Sequence, residues 1–386
     1  MSSDVRAETV VDFRPGLKSA ITEVIAPAAP EVDRSGAYPR AALDALAEAG
    51  IPGLMSSPEV GGGASSLADV AEVVEHLAAA CGSTAMVVLM HYAAVSVLEA
   101  HGPREVREAI ARGEHLSSLA FSETGSRSHF WAPMSTATAA GDGVRLDARK
   151  SWITSAGEAD SYVWSSRPLS AEGPMTLWLV PSDTPGLRTA GSFDGMGLRG
   201  NASKPVTADG AVVPADAMLG MDGTGLDIAL SVVLPTFLVG NAAFSVGLME
   251  ALLGEAAEHL RRTRLEHLGQ TLAQQPGSRT EFARLRTRAD EARAFLIDTL
   301  RALEDGRADA VLRVLQVKAV ASEAASDVAD GVMRLCGGAA FRKELGVERS
   351  FRDALAARVM APTTAALRDF VGRATLGLPL FDGAGV

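Results

Sequence analysis

Apolar residues recur with helical spacing through the first part of the chain, from about residue 13 to residue 113. The clearest helical segments are residues 41–49, 67–81 and 84–101. Turns that contain glycine or proline separate these segments. Ser66 and Ser83 each stand just before an apolar segment, where a serine oxygen can cap the first backbone N–H groups. The pattern predicts three to five antiparallel helices.

The spacing of apolar residues changes from helical to alternating in the middle of the chain, between residue 117 and about residue 220. Short alternating runs occupy residues 132–139, 144–146, 161–166, 176–180 and 205–213. Turn residues such as Gly, Asp and Pro separate the runs at intervals typical of antiparallel strands. This pattern predicts a compact all-β module, either a small barrel or a sandwich.

Long helical patterns return after residue 225 and continue to the end of the chain. They cover residues 226–262, 278–305 and 308–335, with a polar connector at 265–277. Helices this long are typical of a bundle that also forms a subunit interface. We therefore predict an α+β protein with an N-terminal helical domain (1–116), a central β-domain (117–222) and a C-terminal helical bundle (223–386).

Composition narrows the functional classes. The chain has 386 residues, of which 47% are hydrophobic and 22% charged, as expected for a globular protein. No uninterrupted apolar run approaches the roughly 18 residues of a membrane helix, and the first 30 residues lack the features of a signal peptide. We expect a cytoplasmic protein without a membrane partner.

Charge and metal-ligand content argue against two further classes. The net charge of −11 is unfavourable for nucleic-acid binding, which needs a basic surface. The two cysteines form no CxxC pair, which is typical of a reducing compartment. The seven histidines are scattered without a metal-ligand spacing. We expect neither a nucleic-acid partner nor a metal site.

The sequence Lys-Ser-Trp-Ile-Thr at 150–154 carries the first chemical signal. On a strand, Trp152 and Thr154 would point to the same face and offer a ring plane and a hydroxyl to the same ligand. A flat heteroaromatic ligand suits that combination. Tryptophan and threonine are also ordinary packing residues of strands, so the pair alone does not decide the function.

Six short motifs along the chain resemble those of the acyl-CoA dehydrogenase superfamily of FAD enzymes. They lie at residues 121–126, 150–154, 195–201, 212–220, 336–338 and 352–354. The resemblance extends over essentially the whole chain. It implies the acyl-CoA dehydrogenase fold: an N-terminal α-helical domain, a central β-barrel-like domain and a C-terminal four-helix bundle. It also implies a homodimer or homotetramer.

The resemblance implies how FAD would be bound. Trp152 would lie against the isoalloxazine ring, and Thr154 would donate a hydrogen bond toward flavin N5. Gly337 and Gly338 have no side chains, so their backbone would approach the ADP part of FAD, in a neighbouring subunit. The implied cofactor-binding residues are Ser122, Glu123, Thr124, Ser126, Trp152, Thr154, Gly337 and Gly338.

The catalytic carboxylate of the family is missing from its usual places. Dehydrogenation of an acyl-CoA needs a base for the α-proton, and the family commonly uses a Glu shortly after the Arg-Asp-Ala motif. Ala361 stands at that position. The alternative position, early in the first long C-terminal helix, corresponds to residues 232–240, which contain no carboxylate. The family's Arg-x-x-Phe-Gly motif has only a loose counterpart at 264–269.

Three hypotheses fit this pattern. In the first, the chain is an FAD-dependent dehydrogenase of a CoA or carrier-protein thioester, or of a related small molecule. It passes electrons to an acceptor protein, and the candidates for its base are His91, His129 and Glu123. In the second, it is a flavin-dependent monooxygenase supplied by a flavin reductase, in which Ser122, Ser155 or His91 steadies the peroxide. In the third, it is a non-catalytic scaffold that binds flavin or an acyl carrier.

Overall fold

Helices form the N-terminal part of the protein, as predicted. The computed structural model describes residues 12–126 and 129–381; the predicted outer limits at residues 1 and 386 lie outside this range. The first helices are α1 (Arg14–Ala20), α2 (Ala26–Ser35), α3 (Arg40–Glu48), α4 (Leu67–Ala80), α5 (Gly82–His101) and α6 (Arg104–Ala111).

The two predicted helix caps have different outcomes. Ser66 caps α4 through a reciprocal pair with Asp69, in which each side chain accepts a backbone N–H of the other residue. The prediction for Ser83 is wrong, because α5 already begins at Gly82. The Ser83 hydroxyl instead accepts a hydrogen bond from the backbone N–H of Gly200, 3.1 Å away. It thereby ties α5 to a loop of the β-region.

The central region consists of two four-stranded sheets. The strands are β1 (Ser117–Ala120), β2 (Thr136–Ala140), β3 (Gly143–Ile153), β4 (Ser161–Ser166), β5 (Thr176–Pro181), β6 (Leu187–Thr189), β7 (Lys204–Pro214) and β8 (Met218–Leu219). One sheet has the order β1-β4-β5-β8 and the other β2-β3-β7-β6. All pairs are antiparallel except β1 with β4.

The first of these sheets is buried on both faces. Trp164 and Trp178 point toward the second sheet and form a common apolar cluster with Leu146 of β3. Val163 and Leu177 belong instead to the large core that contains the helices. All of β4 and all of β5 except Pro181 are therefore buried, whereas β3 and β7 alternate between more buried and more exposed positions.

The C-terminal part is a bundle of long helices, as the sequence pattern predicts. After β8 follow α7 (Gly225–Ile228), α8 (Leu234–Arg262), the hairpin β9 (Arg264–Leu265) and β10 (Gln270–Thr271), α9 (Pro276–Glu304), α10 (Ala310–Cys336), α11 (Val347–Val359) and α12 (Thr364–Thr375). A π-helical segment, Ala229–Val233, joins α7 to α8. The connector predicted at 265–277 contains the hairpin, and α9 begins before it ends.

Two helical segments are strongly apolar, although polar residues interrupt both. Gly82–His101 and Gly225–Arg262 are long and apolar enough to cross a membrane by length and composition alone. In the structure, however, 78% and 89% of their most apolar windows are buried inside the protein. Their apolar character is thus accounted for by the core that they form together.

Candidate functional site

A cavity of about 870 Å³ lies where the β-region, α5, the start of α8 and the end of α11 meet. This volume lies within the usual range of small-molecule sites. The hydroxyl and amide side chains of the lining come from the β-region and, with Trp152, are called the polar wall: Ser122, Thr124, Ser151, Trp152, Thr154, Asn201 and Ser203. The apolar residues from α5, the π-helical segment, α8, α11 and the segment after α11 are called the apolar wall: Met86, Met90, Val233, Leu234, Phe237, Leu355, Ala356, Val359, Met360 and Ala361.

Trp152 presents its side chain to the cavity through an unusual backbone conformation. Its φ of 58° lies in the left-handed region, and β3 is irregular between Lys150 and Ile153. The side chain is 70% exposed, which is high for a tryptophan. Thr154 lies just beyond the end of β3. The expectation that strand alternation brings the two residues together is therefore wrong, although both line the cavity.

The polar wall holds hydroxyl groups with protons to donate. The Thr154 and Ser203 hydroxyls lie 3.2 Å apart and share one hydrogen bond, which uses one of their two protons. The Ser122 and Thr124 hydroxyls have no hydrogen-bond partner among the residues described. The wall therefore combines an exposed aromatic ring with unused donors, which fits a flat, polar cofactor ring such as that of FAD.

A buried ion pair supports the loop that carries Ser122 and Thr124. Lys150 Nζ lies 2.6 Å from Glu123 Oε1, and both side chains are almost fully buried. The backbone N–H groups of Met134 and Ser135 donate to Glu123 Oε2 at 2.6 and 3.0 Å, and the Ser135 hydroxyl also donates to the carboxylate. This ion pair fixes the loop against β3.

The same contacts exclude Glu123 as the catalytic base. Burial alone would raise the pKa of Glu123, but the Lys150 ammonium and the hydrogen bonds lower it on balance. Burial lowers the pKa of Lys150 to about 8, against the opposing effect of Glu123. The carboxylate is thus ionised and fully bonded at neutral pH. A predicted contact of Glu123 with FAD can involve only its backbone.

The two histidine candidates lie outside the cavity walls. His91 is fully buried: its Nε2 donates to the Pro52 carbonyl oxygen at 3.3 Å, and its Nδ1 accepts the Ser117 N–H at 3.2 Å. Burial lowers the pKa of His91 to about 4. His129 is exposed and packs against Trp131, with ring centroids 4.9 Å apart. The sequence selected both by residue type, and neither is placed to act as a base.

Four further candidates also lie away from the walls. The Ser155 hydroxyl accepts a hydrogen bond from the Tyr38 hydroxyl at 2.8 Å. The Ser126 hydroxyl donates to the Glu123 carbonyl oxygen at 3.2 Å, within the same turn. Ser155 is therefore not placed to steady a flavin peroxide. Gly337 and Gly338 are exposed at the end of α10, and a Cβ at either would meet nothing within 4 Å. Their predicted contact with FAD of a neighbouring subunit stays a prediction.

The loop before β7 is anchored to α2 and α11. Arg352 donates to the Met196 carbonyl oxygen at 2.8 Å and pairs with Asp33 at 2.6 Å. Asp353 accepts the Leu198 N–H at 2.6 Å. Burial raises the pKa of Asp353 to about 6, while that hydrogen bond lowers it. Arg352 and Asp353 thus hold the loop against α11, and the guanidinium of Arg352, although it lines the cavity, is committed to this task.

Both places where a base would be expected open onto the cavity. Ala361 lies in the apolar wall, and so do Val233, Leu234 and Phe237 from the alternative position. Among the residues that the structure describes, Glu123 and Arg352 are the only ionisable side chains of the cavity walls, and both are paired. The described part of the walls therefore offers hydroxyl groups and apolar surface to a substrate, but no free carboxylate or imidazole.

Comparison with known proteins covers all three parts of the chain. Sequence models of acyl-CoA dehydrogenase domains match residues 8–113 (N-terminal domain), 118–211 (middle domain) and 223–376 (C-terminal domain). Cyclohex-1-ene-1-carbonyl-CoA dehydrogenase of Geobacter metallireducens is 28% identical over 93% of this chain and 96% of its own length. Human mitochondrial short-chain specific acyl-CoA dehydrogenase is 27% identical over 85% of this chain and 80% of its own length. The structure of butyryl-CoA dehydrogenase from Megasphaera elsdenii superimposes with a TM-score of 0.88 at 23% identity, covering 97% of this chain and 100% of that one.

Proposed function

Because the chain belongs to the acyl-CoA dehydrogenase family, we propose that it is an FAD-dependent oxidoreductase that oxidises an acyl thioester or a related small molecule in this cavity. The observation that carries the proposal is the pairing of two unlike walls within one cavity. The polar wall suits a flavin ring, and the apolar wall suits an acyl chain. The relatives named above act on acyl-CoA thioesters, which supports the same substrate class here.

The two walls would have separate tasks. When bound, FAD supplies the two-electron acceptor for the oxidation. Trp152 would lie against its ring, and the Thr154, Ser122 and Thr124 hydroxyls would donate hydrogen bonds to its polar edges. The apolar wall would receive the acyl chain and exclude water from the reacting atoms. The Glu123–Lys150 ion pair would keep the loop of Ser122 and Thr124 in place.

The experiment adds acyl thioesters to the yellow holoprotein without oxygen. The probes are butyryl-CoA and octanoyl-CoA, together with the same acyl groups on a phosphopantetheinyl carrier protein. Bleaching of the flavin absorbance by any of them supports the proposal, and the better donor distinguishes a CoA from a carrier-protein substrate. A holoprotein that none of these thioesters bleaches contradicts it.

A second candidate function is oxygenation of a small molecule by reduced flavin. It is favoured by the walls' described residues, among which no ionisable side chain is unpaired. Such a reaction removes no α-proton and so needs no carboxylate. Two assays distinguish the two functions. Substrate-dependent oxygen uptake that requires an added flavin reductase supports oxygenation, whereas anaerobic bleaching by a thioester supports dehydrogenation.

The substitution Ala361→Glu tests the missing base directly. The side chain at 361 faces the cavity, so a carboxylate there would lie in the chamber that receives the acyl chain. A placed general base contributes about 10²- to 10⁴-fold, and we expect anaerobic flavin reduction by acyl-CoA to become at least about tenfold faster. Stopped-flow absorbance measures this rate. Ala361→Gln has the same size without a base and serves as the matched control; equal rates in both variants would contradict the placement.

We also propose that the protein is a cytoplasmic homodimer or homotetramer that passes electrons to an acceptor protein. Large apolar side chains on the surface of the bundle support self-association: Val311 is 70% exposed and Phe341 is 81% exposed. Phe341 follows Gly337 and Gly338, the glycines that would meet FAD of a neighbouring subunit. A non-catalytic scaffold role finds no support in any feature of the cavity.

A further inference from the structure

A short segment without regular structure closes part of the apolar wall. Helix α11 ends at Val359, and Met360, Ala361 and Pro362, the next three residues, all line the cavity. None of the three belongs to a helix or a strand. The Met360 N–H donates to the Ala356 carbonyl oxygen at 3.1 Å, which is the last helical hydrogen bond of α11. No helical hydrogen bond extends to Ala361 and Pro362, so other contacts must determine their position.

Lys318 supplies most of these contacts. It lies in α10 and is fully buried. Its ammonium donates to the carbonyl oxygens of Ala357 at 2.8 Å, Met360 at 3.0 Å and Pro362 at 2.9 Å. An ammonium has three N–H donors, so all of them are used on this one stretch of chain. Ala357 belongs to the last turn of α11, where carbonyl groups lack helical partners and favour a cation.

The chemistry of this contact indicates a positional role. No carboxylate pairs with Lys318 within the described part of the chain. Burial lowers its pKa to about 7, which shows how unfavourable the charge is in this place. A methionine of similar shape would fill the same space without that penalty. What the amine adds is the fixed position of three carbonyl oxygens around residue 361.

Asn241 holds the same segment from α8. It is fully buried, and its Nδ2 donates to the sulfur of Met360 at 3.6 Å. Its Oδ1 has no hydrogen-bond partner among the described residues. Met360 is therefore bound at its backbone by Lys318 and at its side chain by Asn241. Two buried polar residues from different helices converge on one wall of the cavity.

We infer that Lys318 is a positioning residue that fixes residues 360–362 and thereby sets which apolar chains the cavity accepts. The identity of that chain as the acyl group of a thioester rests on the proposed function. Met360 and Ala361 are the surfaces that the chain would meet. A hydrophobic pocket discriminates between two substrates that differ by one methylene by about 10- to 200-fold. A small displacement of this segment is therefore sufficient to alter the specificity for the apolar chain.

The test compares the wild-type holoprotein with Lys318→Met, Lys318→Gln and Leu285→Ala. Leu285 is fully buried in α9 against Gly331 of α10 and does not line the cavity. Its truncation therefore destabilises the bundle without touching residues 360–362 and controls for general loosening. Calorimetric titrations use straight-chain alkanols from butanol to dodecanol and acyl-CoAs of the same lengths. Hydrogen exchange is followed in the peptide that covers residues 356–364.

We expect a chain-length optimum in the wild-type protein. In Lys318→Met, we expect the ratio of the affinity for the preferred chain length to the affinities for the other lengths to fall by at least about tenfold. Hydrogen exchange of residues 356–364 becomes faster, while the FAD content is unchanged. Lys318→Gln keeps two N–H donors and is expected to be intermediate. Leu285→Ala keeps the wild-type preference.

Three results would overturn the inference: an unchanged preference in Lys318→Met, an equal loss in Leu285→Ala, or no alkanol bound by the wild-type protein. If the alkanols follow the expected pattern and no acyl-CoA binds, the role of Lys318 stands and the proposed thioester substrate is wrong. The two failures are therefore distinguishable.

Discussion

Replacing Trp152 and Thr154 together by alanine is expected to remove FAD from the purified protein without unfolding it. Trp152 lines the cavity and is 70% exposed to solvent, so the loss of its side chain leaves no hole in the core. Stacking on an aromatic side chain contributes about 1–3 kcal/mol, and a hydrogen bond about 0.5–1.5 kcal/mol. The sum predicts a Kd for FAD weaker by roughly tenfold to a thousandfold. The flavin-to-protein absorbance ratio and calorimetric titration of the apoprotein with FAD measure the effect.

Two control variants separate the ring from the fold. Trp152→Phe keeps an aromatic face and is expected to retain most of the FAD. Trp131→Ala removes a tryptophan that packs on Phe370, with ring centroids 5.2 Å apart, outside the cavity walls. It is expected to lower the stability and leave the affinity for FAD unchanged. Full flavin occupancy in the double variant would show that the ring lies elsewhere.

The course of the chain could be predicted from the sequence because apolar periodicity reports burial. The long helices α8, α9 and α10 and the strands β3 and β7 each contain enough residues for the period to be clear. The strands β1, β6 and β8 have four residues or fewer, and no period can be read from so few positions. Hydrogen bonds between distant residues, such as that of Ser83, are also invisible to a local pattern.

The site could be predicted only where a local motif carries it. The motifs identify four residues that all line the cavity: Ser122, Thr124, Trp152 and Thr154. The histidines are candidates by residue type alone, and residue type does not report position in the fold. No local motif indicates the contacts that join distant parts of the chain. Glu123 and Lys150 are 27 residues apart, and Lys318 and Met360 are 42 apart.

Removing one partner of the buried Glu123–Lys150 ion pair is expected to destabilise the protein strongly. Lys150→Met leaves the Glu123 carboxylate buried without its cation, and breaking a buried pair in this way costs about 3–5 kcal/mol. We expect the free energy of unfolding to fall by that amount, and FAD to be lost as well, because the loop of Ser122 and Thr124 is released. Urea denaturation followed by circular dichroism measures the stability, and flavin absorbance measures the retained FAD.

The control lies on the same strand. Arg145 and Asp147 of β3 form an ion pair at 2.8 Å whose side chains are 50% and 39% exposed. Exposed pairs contribute about 0–1 kcal/mol, so Arg145→Met should leave both stability and FAD content nearly unchanged. The double variant Glu123→Gln, Lys150→Met removes both charges and should recover part of the stability lost in Lys150→Met alone, because no uncompensated charge remains buried. If the single and double variants are equally unstable, the charge is not the cause, and the loop is held by the hydrogen bonds of Met134 and Ser135 instead.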